Sequence, residues 1–440
     1  MFRLSEIFKV LKHEDVVVLG VEHDTRRIKK GYLYVAIKGE NLDGHNFIKE
    51  AEQKGAVACI VERKVDGVAI PQIIVGDTVK AYGEMAIFWR KKIKYPVIAL
   101  TGSNGKTTTR DMIAAILSYR HKVVRSDSNF NNLIGVPYTL LNFPLDADYA
   151  VVELGMNMKG EIARLSEITD PDVGLITNIG RAHVGKLGSM DAVTSAKLEL
   201  FDYMMKKKST FIVNMSDPRI RSWFEKNRPV KYVPFVDVEG LGSDDEKQKF
   251  IIKLKDGRSE TGYVKLLGPH NLQNVAASVS VAVYLGMDMK DCVKALEKFI
   301  PPKMRSNIVV KNGVEFIIDC YNANPDSMRA AIETCAGIKG RKRHIAVIGD
   351  MKELDGMEQE LHFEIGSFLA EEKYDLVFAI GEHSKEYEKG FITRSPASNI
   401  KTYELKDMAL LKKDIGSYVK DGDVVLVKAS RVIELEKIFE

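Results

Sequence analysis

Nine consecutive residues, Thr101-Gly-Ser-Asn-Gly-Lys-Thr-Thr-Thr109, carry the densest chemistry in the chain. Gly102 and Gly105 let the backbone approach a ligand closely, and backbone N–H groups with the helix N-terminus would face an anion. Lys106 adds a point charge, and the hydroxyl of Thr107, followed by Thr108, can hold Mg²⁺. Together these residues describe a phosphate cradle for ATP or GTP. The usual spacing is G-x-x-x-x-G-K-[ST]. Leu100 stands at the first glycine position, so the loop is a shortened variant.

A cradle of this kind works only between a strand and a helix. The apolar run Tyr95-Pro-Val-Ile-Ala-Leu100 reads as a buried strand, and Met112, Ile113, Ile116 and Leu117 share one face of a helix over 107–119. A second apolar strand, Asp148-Tyr-Ala-Val-Val-Glu153, ends in a carboxylate where a P-loop enzyme places a magnesium ligand. A third, Val173-Gly-Leu-Ile-Thr177, leads to His183, whose type suits either a metal ligand, a base or a structural role. Lys197 falls on a helix capped by Ser189 and running from Met190 to Met205, where a lysine by itself reads as a solvated charge.

The chain has 440 residues, enough for three domains of ordinary size, with 45% hydrophobic and 29% charged residues. Its formal charge of +4 is spread without blocks, and no basic-aromatic stripe points to nucleic acid. Cys59, Cys292, Cys320 and Cys335 lack metal or redox spacing and are expected as free thiols in a reducing, cytoplasmic compartment. No apolar run reaches the ~18 residues of a membrane span. Glu6, Lys9, Lys12 and Glu14 interrupt the apolar residues at the N-terminus, unlike a signal peptide.

The domains are expected over 1–94, 95–302 and 303–440, an α/β chain throughout. The first has short strands at Val16–Leu19, Tyr32–Ile37, Ala58–Val61 and Gln72–Val75. Its polar turns Asp24-Thr25-Arg26 and Lys38-Gly39-Glu-Asn-Leu-Asp43-Gly-His45 could hold a phosphate or be ordinary solvated turns. The second carries the loop, then an Asn- and Gly-rich stretch over 128–137 read as irregular. A hairpin pair is expected at 250–255 and 262–267, beside an acidic surface loop over 242–246, and a helix over 275–285. After Pro301-Pro302, strands at 314–319, 344–348, 376–380 and 423–427 alternate with helices in a Rossmann-like unit without a dinucleotide fingerprint.

The shortened loop resembles that of the Mur ligases, ATP-dependent amide-forming enzymes of peptidoglycan precursor synthesis, and is shared with folylpolyglutamate synthetases. Further motifs resemble the branch that adds D-alanyl-D-alanine to UDP-N-acetylmuramoyl-tripeptide. They are Asn129-Phe-Asn131-Asn132 with Gly135-Val-Pro137, Asp319-Cys-Tyr-Asn322-Ala-Asn324-Pro-Asp-Ser327, and Gly349-Asp-Met351 with Glu353-Leu354. The resemblance runs from Asp24 to Glu434. It implies three α/β domains: one for the UDP-substrate, a P-loop domain with a mostly parallel sheet, and a Rossmann-like domain for the dipeptide.

By the same resemblance, Lys106 contacts the β/γ-phosphates and Thr107 with Glu153 holds one Mg²⁺. His183 and Lys197, the latter as a CO₂-derived carbamate, hold a second. Asn271 and Asn274, with His270, flank the nucleotide, Arg305 reaches the γ-phosphate and Asp319 the ribose. Asp24, Thr25, Arg26, Gly39, Asp43 and His45 form the uridine-diphosphate pocket, while Asn131, Asn132, Asn322, Asn324 and Ser430 meet the rest of the substrates. Lys106, Lys197, His183 and Arg305 are the catalytic set. A cytoplasmic monomer is expected, whose third domain closes about Pro301-Pro302 to keep water from an acyl phosphate. Met304 and Ala429 stand where the family commonly has glycine.

Another Mur ligase or a folylpolyglutamate synthetase are the neighbouring readings; the Asn322-Ala-Asn324-Pro325 signature argues against the first and the separate first domain against the second. A GTPase switch would need an N-K-x-D motif, which is absent. A silent binding module would not need Lys106, Glu153, His183 and Lys197 together.

Overall fold

The computed structural model describes residues 1–9, 15–127, 129–244, 246–395 and 399–439. Ser128, Lys12 and Glu14 lie outside them. Three α/β units follow one another. The first holds a four-stranded parallel sheet of Gly20–Glu22, Tyr32–Val35, Ala58–Val61 and Gln72–Ile74, in that order. The strand expected at 16–19 is split. Val17–Val18 pairs antiparallel with Phe2–Arg3, and the chain enters the main sheet only at Gly20. Helix Thr78–Lys92 leaves this unit and packs on the next. Trp89 Nε1 donates to the Phe143 carbonyl, and Arg90 donates to the Thr169 and Asp170 carbonyls and pairs with Asp172.

The second unit is built on six parallel strands ordered Tyr232–Pro234, Thr210–Val213, Val173–Ile176, Val97–Thr101, Tyr149–Glu153 and Val123–Arg125. All five residues of Val97–Thr101 are buried, as a central parallel strand with both faces covered requires. Helix Lys106–Leu117 follows on one side with Met112, Ile113, Ile116 and Leu117 in the core. Helix Pro269–Tyr284 packs against it, starting earlier than its apolar residues suggest because Pro269 sits in the first turn. The expected hairpin is a three-stranded antiparallel meander, Asp237–Asp244, Lys247–Lys253 and Ser259–Val264. Its first strand takes up Gly242–Asp244, read as loop, while Asp245 lies outside the described residues; seven of the strand's eight residues are exposed, so they carry no alternating apolar signal. The Asn-rich stretch read as irregular gives way at Gly135 to helix Gly135–Leu141.

The third unit is a six-stranded sheet ordered Asn307–Lys311, Val314–Ile318, Val424–Lys428, His344–Gly349, Leu376–Ile380 and Ile400–Tyr403. Only the first pairs antiparallel. The two edge strands are the ones the sequence did not reveal: Asn307–Lys311 buries no residue and Ile400–Tyr403 only Tyr403. The third unit lies against the second, so the carboxyl ends of both sheets border one cavity of about 430 Å³. Among the described residues no helix is long and apolar enough to cross a membrane.

Candidate functional site

Gly105 shapes the loop. Its φ of 78° is left-handed, and a Cβ there would stand 2.2 Å from the Asn274 side-chain oxygen, so only glycine fits. Asn274 Oδ1 also accepts from the Thr109 hydroxyl, and Asn274 Nδ2 donates to Asn271 Oδ1. Asn271 in turn donates to the Leu267 carbonyl. Helix Pro269–Tyr284 therefore buttresses the loop from below through its first two turns. From the other side Asn178 Oδ1 accepts from the Asn104 N–H, and Ser103 Oγ exchanges hydrogen bonds with the Gly180 backbone.

Glu153 is the hub of the buried charge. Its Oε2 accepts from the Thr107 hydroxyl at 2.8 Å and lies 3.5 Å from Arg110 Nη1, while Oε1 accepts from Asn131 Nδ2 at 2.9 Å. Burial would raise this carboxyl, but Lys106, then Arg110, Asn131 and Arg305, outweigh it and hold it below its ordinary value. Arg305, from the third unit, donates through Nη2 to Thr107 Oγ1 at 2.9 Å, its guanidinium 3.9 Å from the Tyr321 ring centroid. Met304 just before it adopts a φ of 58°, the backbone a glycine would take without strain.

Two lysines converge on one carbonyl. Lys106 Nζ donates to the Gly102 and Ser103 carbonyls, and Lys197 Nζ to the Gly102 carbonyl at 2.9 Å. Lys197 is 1% exposed and has no carboxylate partner among the described residues. Burial, with the Lys106 charge as a smaller contribution, pushes its pKa far below that of a free lysine and so favours the uncharged amine. The solvated charge suggested by its helical position is thus a buried amine facing the phosphate loop. His183 borders the same cavity with its ring pKa lowered by burial, and its Nδ1 lies 3.0 Å from Glu353 Oε2, out of line for a hydrogen bond.

The third unit presents its own polar edge. Asn324 caps helix Pro325–Ala336, accepting from Ser327 N–H while Ser327 Oγ accepts from the Asn324 N–H. That box aims Asn324 Nδ2 at Asn104 Oδ1, 2.8 Å away, and Asp326 at the Arg181 N–H and guanidinium. Asp319 accepts from the Ser306 N–H and pairs with buried Lys428, which also donates to the Asn322 carbonyl.

The cavity gathers Ser103 to Thr108, Asn131, Asn132, Glu153, His183, Lys197, Asn271, Asn274, Arg305, Asp319, Asn322 and Asn324. Thr101 ends strand Val97–Thr101 and Gly102 follows it; neither is among the lining residues. Ser430 is buried behind it, donating to the Ala323 carbonyl and accepting from the Lys352 N–H. Asp24, Thr25, Arg26, Gly39, Asp43 and His45 are not among its lining residues. Asp24 pairs with Arg26, and Asp43 with Arg63 and the His45 ring, whose other nitrogen accepts from the Glu62 N–H. Arg110, Lys428, Asp326 and Glu353 escaped the sequence reading as site residues. Arg110 follows Lys106 by one helical turn, the only signal it offered.

Family models match the whole arrangement. The Mur ligase family catalytic domain covers residues 17–93, the Mur ligase middle domain 100–282 and the Mur ligase glutamate ligase domain 304–431. The UDP-N-acetylmuramoyl-tripeptide--D-alanyl-D-alanine ligase of Bacillus subtilis is 34% identical over 436 residues, spanning 97% of this chain and 93% of the relative. MurF from Acinetobacter baumannii superposes with a TM-score of 0.86 at 33% identity, covering 95% of this chain and 92% of that one. MurF ligase from Thermotoga maritima in complex with ADP gives a TM-score of 0.86 at 27% identity, with 96% of both chains covered. A likeness that runs through all three units and nearly end to end leaves one conclusion: this chain belongs to the Mur ligase family.

Proposed function

We propose that the chain is an ATP-dependent ligase joining D-alanyl-D-alanine to UDP-N-acetylmuramoyl-tripeptide, with units 1–94, 95–302 and 303–440 serving the nucleotide-linked substrate, ATP and the dipeptide. The observation that carries it is the reach of Arg305 from the third unit onto Thr107 of the phosphate loop. That contact brings the unit expected to hold the amine against the group expected to hold the γ-phosphate.

A carboxylate does not condense with an amine near neutral pH because oxide would have to leave. In the proposed reaction a carboxylate oxygen attacks the γ-phosphorus, the bond to ADP breaks, and an acyl phosphate forms. The dipeptide amine then attacks the carbonyl carbon, loses its proton, and phosphate departs. Bringing an anionic carboxylate to an anionic phosphate makes charge neutralisation the main task. Lys106 and Arg305 serve it directly, and the N–H groups opening helix Lys106–Leu117 would orient the phosphates, those of Ser103 and Asn104 being taken up by Asn178.

Thr107 and Glu153 present two buried oxygens 2.8 Å apart on the cavity, a donor set that suits Mg²⁺ completed by phosphate and water. His183 and Lys197 would hold a second ion once the lysine amine carries CO₂ as a carbamate, and burial of that amine supports the uncharged form the modification needs. Bound there, the ions would neutralise developing charge on the phosphoryl group. Asp24 to Arg26, Gly39, Asp43 and His45 would receive the uridine diphosphate, and Asn131, Asn132, Asn322, Asn324 and Ser430 would border the peptide ends. The expected closure of the third unit is the movement that would exclude water from the acyl phosphate.

A phosphate-release assay with UDP-muramyl tripeptides and a panel of amino acids and dipeptides tests the assignment. Turnover should require the tripeptide and favour D-alanyl-D-alanine. Preference for a single amino acid, or for a folate acceptor, would overturn it.

A further inference from the structure

Glu353 sits on the third unit but ends in the second. Its carboxylate forks, with Oε2 3.0 Å from His183 Nδ1 and Oε1 2.9 Å from Lys186 Nζ. Both partners belong to one short segment, His183 being the N-cap of helix Val184–Leu187. Glu353 and His183 each adopt a left-handed backbone, with φ of 64° and 63°, so two conformations that non-glycine residues rarely take face each other across the seam. Between His183 and Lys186 stands Gly185, where a Cβ would lie 2.3 Å from the Leu354 carbonyl carbon and 2.4 Å from its oxygen. The third unit's loop therefore docks into a notch that only glycine leaves open.

The loop is held from behind. The Asp350 carboxylate accepts from the Glu382 and His383 N–H groups, and the Lys352 N–H donates to Ser430 Oγ. Nothing in this scaffold comes from the second unit, so the loop travels with the third.

We infer that Glu353 is the positioning residue for His183, and that it makes completion of the His183–Lys197 ion site conditional on docking of the third unit. The carboxylate stands 3.0 Å from the buried, otherwise unpartnered Nδ1 of His183, so a small turn of the ring would bring the two into line and leave the other nitrogen for a cation, the arrangement outer carboxylates commonly give a metal-binding histidine. Because this carboxylate arrives only with the third unit, the site is assembled in the docked arrangement and loosened otherwise. The Thr107–Glu153 pair lies wholly within the second unit, so the first ion keeps its protein ligands in either arrangement, while the second ion waits for the unit that brings the amine. The inference rests on the ligase reading for its purpose, but on the seam geometry for its content.

The test uses the full chain with a non-hydrolysable ATP analogue and Mn²⁺, read by electron paramagnetic resonance. Glu353→Gln should weaken the second Mn²⁺ about 10–100-fold, the usual cost of losing an outer ligand, and leave the first unchanged. Gly185→Ala keeps the carboxylate but fills the notch. It should reproduce the loss and give a more extended particle by small-angle X-ray scattering. A second-ion affinity in Glu353→Gln equal to that of wild type, or a lowered melting temperature with unchanged Mn²⁺ binding, would overturn the inference. Failure of the ligase reading would appear separately, as wild-type protein that binds both ions yet releases no phosphate with the dipeptide.

Discussion

The phosphate-loop seam and the polar turns of the first unit use similar residues in opposite ways. At the seam Glu153 is 3% exposed and Lys197 1%, and their partners come from distant elements: Thr107, Arg110 and Asn131 for the carboxylate and the Gly102 carbonyl for the amine. In the first unit Arg26 leaves 85% of its side chain exposed and closes on Asp24, its neighbour two residues away. A short-range pair in water stabilises little, since exposed ion pairs are worth about 0–1 kcal/mol. A buried hub loses several times that when one member goes. Polar residues therefore report function most reliably where the fold has taken them out of water and joined them across domains.

The hardest test of this contrast is Arg110, 1% exposed and held by Asp111, Glu153 and the Asp127 carbonyl. Arg110→Met should cost about 3–5 kcal/mol by removing the buried cation shared by Asp111 and Glu153, seen as a lower denaturant midpoint. Lys106→Ala comes next. It should cut phosphate release by about 10²–10³ while circular dichroism stays native, and near-normal turnover would remove the loop from the mechanism.

In the first unit His45→Ala strands the Glu62 N–H and should cost about 1–3 kcal/mol, less than the seam substitution. Arg63→Ala should have the smallest effect. The Arg63 guanidinium, ahead of the His45 N–H, holds the Asp43 carboxyl well below its ordinary 3.8. A depressed carboxyl contributes stability that is full above that value and fades as the pH falls through its lowered one. Wild-type protein should lose this contribution in acid, below about pH 4, and Arg63→Ala should flatten that part of a melting-temperature profile. A larger drop at neutral pH for Arg63→Ala than for Arg110→Met would reverse the comparison.

Several elements were legible because burial writes a pattern. Val97–Thr101 and Tyr149–Glu153 are apolar runs ending in polar residues, and helix Met190–Lys207 opens on Ser189, whose hydroxyl accepts from the Ala192 N–H. Edge strands Asn307–Lys311 and Ile400–Tyr403 wrote none, because the first buries no residue and the second only Tyr403, so neither has an inward face that would impose alternation. Strand Asp237–Asp244 is nearly all exposed and was hidden for the same reason. Among the site residues, those within one motif could be read together, whereas Arg110, Glu353 and Lys428 matter through partners on other elements.

By itself the sequence determined the phosphate loop, its strand and helix, the α/β class and the family resemblance, because each depends on neighbours in the chain or on periodic burial. The resemblance set a carbamate ligand against the solvated charge that helical position suggests for Lys197, and only the tertiary structure shows the amine buried beneath the phosphate loop. The same holds for the Arg305 contact with Thr107 and for Glu353 reaching His183. These depend on which surfaces meet when three domains pack, and that information is spread over the whole chain.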